Sequence, residues 1–311
     1  LRALVVSNML PGEGHPERGS FVRDQVAALK RLDGLEVELH EFSPGVRALA
    51  GALPNLRRRY GRSGFDVVHA HFGLTAWPAL TVPAQVHALT VHGTDLVHPR
   101  TRLATRAVLP RLDLVAAVSP ALLSMLPGRA RRDALVLPCG VDMERFRRVP
   151  RGQARAELGL DAEQTFVLFA ADPARPEKRH DRALALAQAA GVPLRSLGGV
   201  APERVPLWVN AANAVLVPSE REGFGLAVLE ALACDMPVLA TPVGVHPEAL
   251  AGVEGALCEP FDLTRWSAAL GPHLDASDPR IEGREAAMRF SAIATAEAVR
   301  GAWQQALGVS E

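Results

Sequence analysis

Short apolar runs alternate with amphipathic stretches of helical period along almost the whole chain. In the first half, Ala3–Val6, Val37–Phe42, Asp66–Ala70, Ala88–Val91, Leu114–Val118 and Ala134–Leu137 have strand length and strand composition. Phe21–Leu32 places apolar residues on one helical face behind a Gly19-Ser20 entry. The second half repeats the alternation at Phe166–Ala170, Leu194–Leu197, Ala214–Val217, Val238–Ala240 and Ala256–Cys258, with helices expected at about Thr264–His273 and Ile281–Leu307. Apolar strands separated by helices are what parallel sheets covered on both faces require. The pattern therefore predicts an α/β chain of two Rossmann-like, doubly wound domains, which bind ligand at the carboxyl ends of their strands. The Pro-, Gly- and Arg-rich stretch Pro138–Pro150 interrupts the pattern and reads as a linker. It divides a first domain, 1–148, from a second, 149–285, and leaves a C-terminal helical segment, 286–311.

A length of 311 residues suits two cores better than one. No apolar run approaches the 18 or more residues that would span a bilayer. Leu1–Ser7 is too short in apolar residues for a signal peptide and reads as a first strand. Cys139, Cys234 and Cys258 are dispersed and lack metal spacing, which favours a reducing, cytoplasmic setting. Net charge is zero but divided: residues 1–150 carry 20 Lys and Arg against 13 Asp and Glu, whereas residues 151–311 carry 14 against 21. The basic half includes Arg57–Arg59, Arg62, Arg129, Arg131 and Arg132. That half either meets an anion, as a charged acceptor or a peripheral contact at the inner face of an anionic membrane, or simply carries solvated helix ends. Nucleic acid is not an expected partner.

The most informative stretch runs from Pro218 to Thr241. An apolar strand gives way to a polar turn, a Gly-rich entry, a helix and a second apolar strand. Glu222 lies in the turn and Glu230 about two helical turns further, so the two carboxylates could hold points of a ligand roughly 10 Å apart. Gly223 and Gly225 allow backbone N–H groups to approach an anion at the positive end of the helix dipole. An anion flanked by two sets of hydroxyls describes a nucleotide sugar. The plainer alternative is an amphipathic helix with solvated acids.

The run Glu222-Gly-Phe-Gly-Leu-Ala-Val-Leu-Glu230 resembles the E-x7-E motif of the retaining GT-B glycosyltransferases of the large group 1 (family 4-like) family, and the flanking Pro218-Ser219, Glu230–Cys234 and Pro237-Val238 match as well. The resemblance extends to Leu10–Leu29, Phe65–Gly73, Leu89–Asp95, Val118-Ser119 and Leu137–Asp142. Cys139 departs from the family's Asn in the last of these, and Lys178–Pro218 is one strand–helix pair short.

The resemblance implies two Rossmann-like domains facing a central cleft, with the C-terminal helix crossing back to the first. It implies a metal-independent glycosyltransferase, a hexosyltransferase, that needs no cofactor beyond its nucleotide-diphosphate sugar. The acceptor would be a glycan, a lipid or a small molecule. Arg175 and Lys178, in the turn after the second domain's first strand, match the pair that grips the departing phosphate, as planar fork and point charge. Glu222 would bind the transferred sugar, Glu230 the ribose, and Gly223, Phe224, Gly225 and Leu226 would supply backbone contacts. His92 matches a catalytic histidine at a strand end, Asp95 an acceptor contact, and Gly19 and Ser20 the acceptor-side loop. As a residue type at a strand end, His92 more often satisfies a local hydrogen bond.

Three alternatives remain at this point. His69 and His71 share one face of a strand and, with His92 and Asp95, could form the shell of a metal-dependent hydrolase. A nucleotide-sugar epimerase would share the fold without an acceptor. A non-catalytic nucleotide-sugar-binding protein would bind the donor without turnover.

Overall fold

The strands that carry the site are apolar because both their faces are covered. In β1 (Arg2–Ser7) the residues Ala3, Leu4, Val5 and Val6 are fully buried. The computed structural model describes residues 1–309. It contains two compact units, Leu1–Gly140 together with the segment from Ala292, and Val141–Ser291.

In the N-terminal unit, β2 (Glu36–Glu41), β3 (Phe65–His71), β4 (Ala84–Val91), β5 (Leu114–Ala117) and β6 (Leu135–Val136) join β1 in a parallel sheet of order β2-β1-β3-β4-β5-β6. The register sets His69 beside Ala88 and His71 beside Thr90. Helices Ser20–Leu29 and Ala292–Leu307 cover one face, burying Val22, Val26 and Leu29 in one core with Val299 and Trp303. Burying an aliphatic side chain contributes about 1.5–3 kcal/mol, so this shared core is what holds the C-terminal helix to this sheet.

In the C-terminal unit, β7 (Val167–Phe169), β8 (Leu194–Ser196), β9 (Ala214–Val217), β10 (Val238–Ala240) and β11 (Leu257–Cys258) form a parallel sheet of order β11-β10-β9-β7-β8. Arg155, fully buried, donates to the carbonyls of Ala211 and Ala162, and Asn213 accepts from Arg151 Nη2 and the Phe166 N–H. These arginines satisfy loop carbonyls at the amino ends of β7 and β9, away from the carboxyl ends where ligand chemistry is expected. Part of the arginine content is therefore structural.

Two expected boundaries move. The units divide at Gly140–Val141, not at 148, because Arg284 donates to the carbonyls of Met143 and Phe146 and so ties residues 141–148 to the C-terminal unit. The expected helix Ile281–Leu307 is two helices, Arg284–Met288 and Ala292–Leu307. Between them Val141 donates to the Phe290 carbonyl and bridges in parallel to Ser291, which draws the chain out of helical geometry. Among the described residues no helix is long and apolar enough to cross a membrane.

Candidate active site

In the C-terminal unit the loops after β7 and β9 are tied together by a hydrogen bond from the Glu220 N–H to the Glu177 carbonyl, 2.9 Å. That tie brings together two residues 44 positions apart. Lys178 Nζ donates to both carboxylate oxygens of Glu222, at 2.7 and 2.6 Å, and Ser219 Oγ donates to Oε1 at 2.7 Å. The side chains of Lys178 and Glu222 are only 13% and 7% exposed. Burial alone pushes the Glu222 carboxyl upward, but the Lys178 charge and hydrogen bond, the Ser219 hydroxyl and nearby His246 hold it below the usual carboxylate range. A buried ion pair contributes little net stability, because desolvation offsets the attraction. A buried, charge-perturbed pair in the loops after two strands is therefore a candidate for chemistry.

The helix Leu226–Ala233 starts at Gly225, whose φ of 110° is the left-handed region that favours glycine. A Cβ there would come within 2.5 Å of His246 Nε2. Gly244, at φ 60°, passes so close to Phe224 and Glu222 that a side chain would strike both. Val245 N–H donates to the Phe224 carbonyl at 2.7 Å, and His246 Nδ1 donates to the Thr241 carbonyl at 2.8 Å, since a carbonyl can only accept. His246 and Ser219 thus shape the Glu222–Gly225 turn. The sequence reading took Ser219 only as part of the matching Pro218-Ser219 flank and missed His246, although the turn-rich run Thr241–Glu248 after an apolar strand is the signal that could have found it. Phe224 is buried, Gly223, Leu226 and Glu230 are half-buried, and Glu230 lies in the helix's second turn.

Arg175 does not join Lys178. Its side chain is 56% exposed and its Nε and Nη2 both donate to Glu177 Oε1, at 3.0 and 2.8 Å. Next along, Arg179 pairs with Asp181. Of this basic run only Lys178 meets Glu222, since the turn Pro176–Lys178 points its successive side chains in different directions.

In the N-terminal unit the second cluster stands at the ends of β3 and β4. His71 Nδ1 lies 2.9 Å from His92 Nε2. The His92 ring packs against Phe21 at 4.9 Å and Phe72 at 4.7 Å. Phe72 has φ 73°, a left-handed conformation that a bulky residue rarely adopts and that tends to mark functional sites. Phe21 is another residue sequence reasoning missed. It follows Gly19 and Ser20 at the start of the first helix and so brings that expected acceptor-side loop to His92. Gly19, at φ 70°, comes close to Met9.

The Asp95 carboxylate is taken up by the backbone. It is buried and accepts from the backbone N–H groups of Gly73, His92 and Gly93, at 2.8–3.3 Å. Burial raises its pKa, opposed by those N–H groups. These bonds clamp the turn that carries His92. The metal shell does not assemble. Trp303 Nε1 donates to His69 Nδ1 at 3.0 Å and His69 Nε2 faces Thr90 Oγ1 at 2.8 Å, so both ring nitrogens are engaged. Among the described residues no three His, Cys, Asp or Glu side chains are grouped to hold a metal ion.

Residues 7–145 match the family model described as Glycosyltransferase Family 4, and residues 153–275 match that described as Glycosyl transferases group 1. A D-inositol 3-phosphate glycosyltransferase of Segniliparus rotundus is 30% identical, over 89% of this chain and 73% of the relative. The chain belongs to the group 1 glycosyltransferases. A D-inositol 3-phosphate glycosyltransferase of Mycolicibacterium smegmatis is 29% identical over 93% of this chain and 77% of its own length. Solved structures similar to this glycosyltransferase include sucrose-phosphate synthase of Thermosynechococcus elongatus (TM-score 0.70, 19% identity, 99% of this chain and 100% of that one). Another is Anabaena HepE in complex with UDP-glucose (TM-score 0.69, 16% identity, 98% and 99%). The fold of this glycosyltransferase is GT-B.

Proposed function

We propose that this glycosyltransferase moves a sugar from a nucleotide-diphosphate sugar to an acceptor hydroxyl, with retention and without a metal ion. The observation that carries the proposal is the buried Lys178–Glu222 pair beside the Gly225 helix start. Glu222 binds the hydroxyls of the transferred sugar and Lys178 meets the departing phosphate. The helix N-terminus adds backbone N–H groups and the positive end of its dipole. Glu230 takes the ribose. His92 takes part in catalysis, as the resemblance implies. Exposed Arg175 is a weaker phosphate ligand, reaching it only after leaving Glu177.

In the reaction the sugar C1–O bond to the phosphate breaks and a bond from C1 to the acceptor oxygen forms on the same face. The acceptor proton passes to the leaving phosphate, so no protein nucleophile is needed. The names of the relatives favour a phosphorylated polyol as acceptor. The excess of Lys and Arg in residues 1–150, 20 against 13 acids, suits such an anion and equally a peripheral contact with an anionic membrane in the cytoplasm.

A thermal-shift panel of uridine, guanosine and adenosine diphosphate sugars tests the donor, because a bound donor raises apparent stability by mass action. The stabilising donor is then assayed for nucleotide release with inositol phosphates, in excess EDTA. Release only with acceptor, unaffected by chelation, is the expected result. Release that needs a divalent ion would overturn metal independence, and no stabilisation by any donor would overturn the assignment.

A further inference from the structure

We propose that His71 sets the tautomer of His92, donating from Nδ1 to His92 Nε2 so that His92 carries its own proton on Nδ1 and meets substrate as a neutral hydrogen-bond donor. The substrate role rests on the function proposed above, whereas the tautomer rests on geometry alone.

One proton occupies the 2.9 Å contact between the two rings, and two neutral arrangements are open. If His92 donated, His71 would carry its proton on Nε2, which is buried and has no partner among the described residues. An orphaned buried N–H is rarer in folded proteins than an unused acceptor. If His71 donates, only a ring lone pair is left in that position. The second arrangement therefore wins. Burial, with the neighbouring His69 and His92, holds His71 well below its ordinary value, which removes the doubly protonated ring. His69, stacked on His71 at 5.0 Å and 17°, supplies no proton either. The indole of Trp303 can only donate, so His69 Nδ1 accepts and its proton sits on Nε2 toward Thr90.

The consequence is specific. His92 Nε2 is spent on His71, and Nδ1, which has no hydrogen-bond partner among the described residues, is the edge left for substrate. A neutral ring with Nδ1–H can donate to a sugar or phosphate oxygen but cannot take the acceptor proton at that nitrogen. His71 is a positioning residue, acting through His92.

The test uses the full chain labelled with ¹⁵N-histidine and long-range ¹H–¹⁵N correlation near neutral pH, with His92 assigned by the signals lost in His92→Gln. Nδ1 in the protonated range and Nε2 in the bare range are expected. A His92 that is Nε2–H or doubly protonated overturns the proposal. In kinetics, His71→Asn places a side-chain N–H where Nδ1 was and should keep kcat within about threefold. His71→Leu removes the donor and should lower kcat about tenfold with donor KM unchanged, while the His92 signals move to the Nε2–H form. If His71→Leu fails to fold, the wild-type spectrum still decides. Full turnover in His92→Gln beside the expected spectrum would overturn the catalytic role of His92 and leave the tautomer standing.

Discussion

At the scale of residues, the proposed chemistry rests on Lys178 and Glu222 being buried together. Removing one partner leaves the other charge in a poorly solvated place, which costs about 3–5 kcal/mol for a fully buried pair. Lys178→Ala is therefore expected to lower stability and, on the proposed function, also to cut kcat about a hundredfold, since it would remove the charge proposed to meet the leaving phosphate. Lys178→Met with Glu222→Gln removes both charges and should recover most of the stability and none of the activity. Urea midpoints and kcat for the two single variants and the double variant separate the effects. A double variant as unstable as the sum of the singles would show that the pair is not coupled. Glu222, Glu230 and His92 stood out in the sequence as candidates because motif spacing and strand ends mark them. The meeting of Lys178 with Glu222 was not legible, because it depends on the Glu220–Glu177 backbone tie between two loops. Arg175 and Asp95 carried the right charge for their expected roles, but a neighbouring carboxylate holds one and backbone N–H groups occupy the other.

At the scale of elements, the parallel strands were readable from their apolar runs, whereas the sheet orders come from the strand pairing itself. The break at Phe290–Ser291 was not readable, because apolar residues continue through it and its cause is pairing with distant Val141. The helix after the break, Ala292–Leu307, does more than cover the N-terminal sheet. Its Trp303 is fully buried and donates to His69, so one element sets both core packing and a ring orientation in the histidine cluster. Trp303→Phe keeps most of the buried ring and leaves His69 Nδ1 without its donor, which should cost about 1–3 kcal/mol. Trp303→Ala adds a cavity and should cost about 3–5 kcal/mol. Chemical denaturation of both variants measures the difference. Equal losses would mean that the cavity adds nothing beyond the lost hydrogen bond, and an unchanged Trp303→Phe would mean that the hydrogen bond contributes nothing beyond packing.

At the scale of the whole molecule, charge and proton uptake set two further expectations. Arg57, Arg58 and Arg59 are exposed on the last turn of the helix Val46–Tyr60. If they attract an anionic acceptor or lipid, raising salt to shrink the screening length below about 10 Å should weaken that association. Replacing all three by Gln should mimic the salt effect while leaving donor binding unchanged. Acceptor kinetics and vesicle sedimentation that respond to neither change would leave them as solvated surface. The acid response follows from the histidines. Burial lowers His69 to about 4 and, together with His69, lowers His92 to about 3, and it depresses His71 and His246 as well. Unfolded, these rings titrate near the ordinary value of about 6.5. Below that pH the unfolded chain binds protons that the folded chain refuses, so unfolding takes up protons and stability rises with pH. The contribution is fully present above about 6.5 and is lost as the pH falls, by up to about 1.4 kcal/mol per pH unit for each such ring. Glu222, held low in the folded state, adds a loss of the same sign at more acid pH, below the unfolded carboxylate value. Asp95 and Glu41, raised by burial, oppose it there, so the histidine window is the cleaner one to measure. Urea unfolding from about pH 8 to about pH 5 should show a level midpoint down to about 6.5 and a steady fall below it, with net proton uptake in unbuffered solution. A midpoint unchanged at about pH 5 would mean that these rings accept protons in place, against the depression that burial imposes on them.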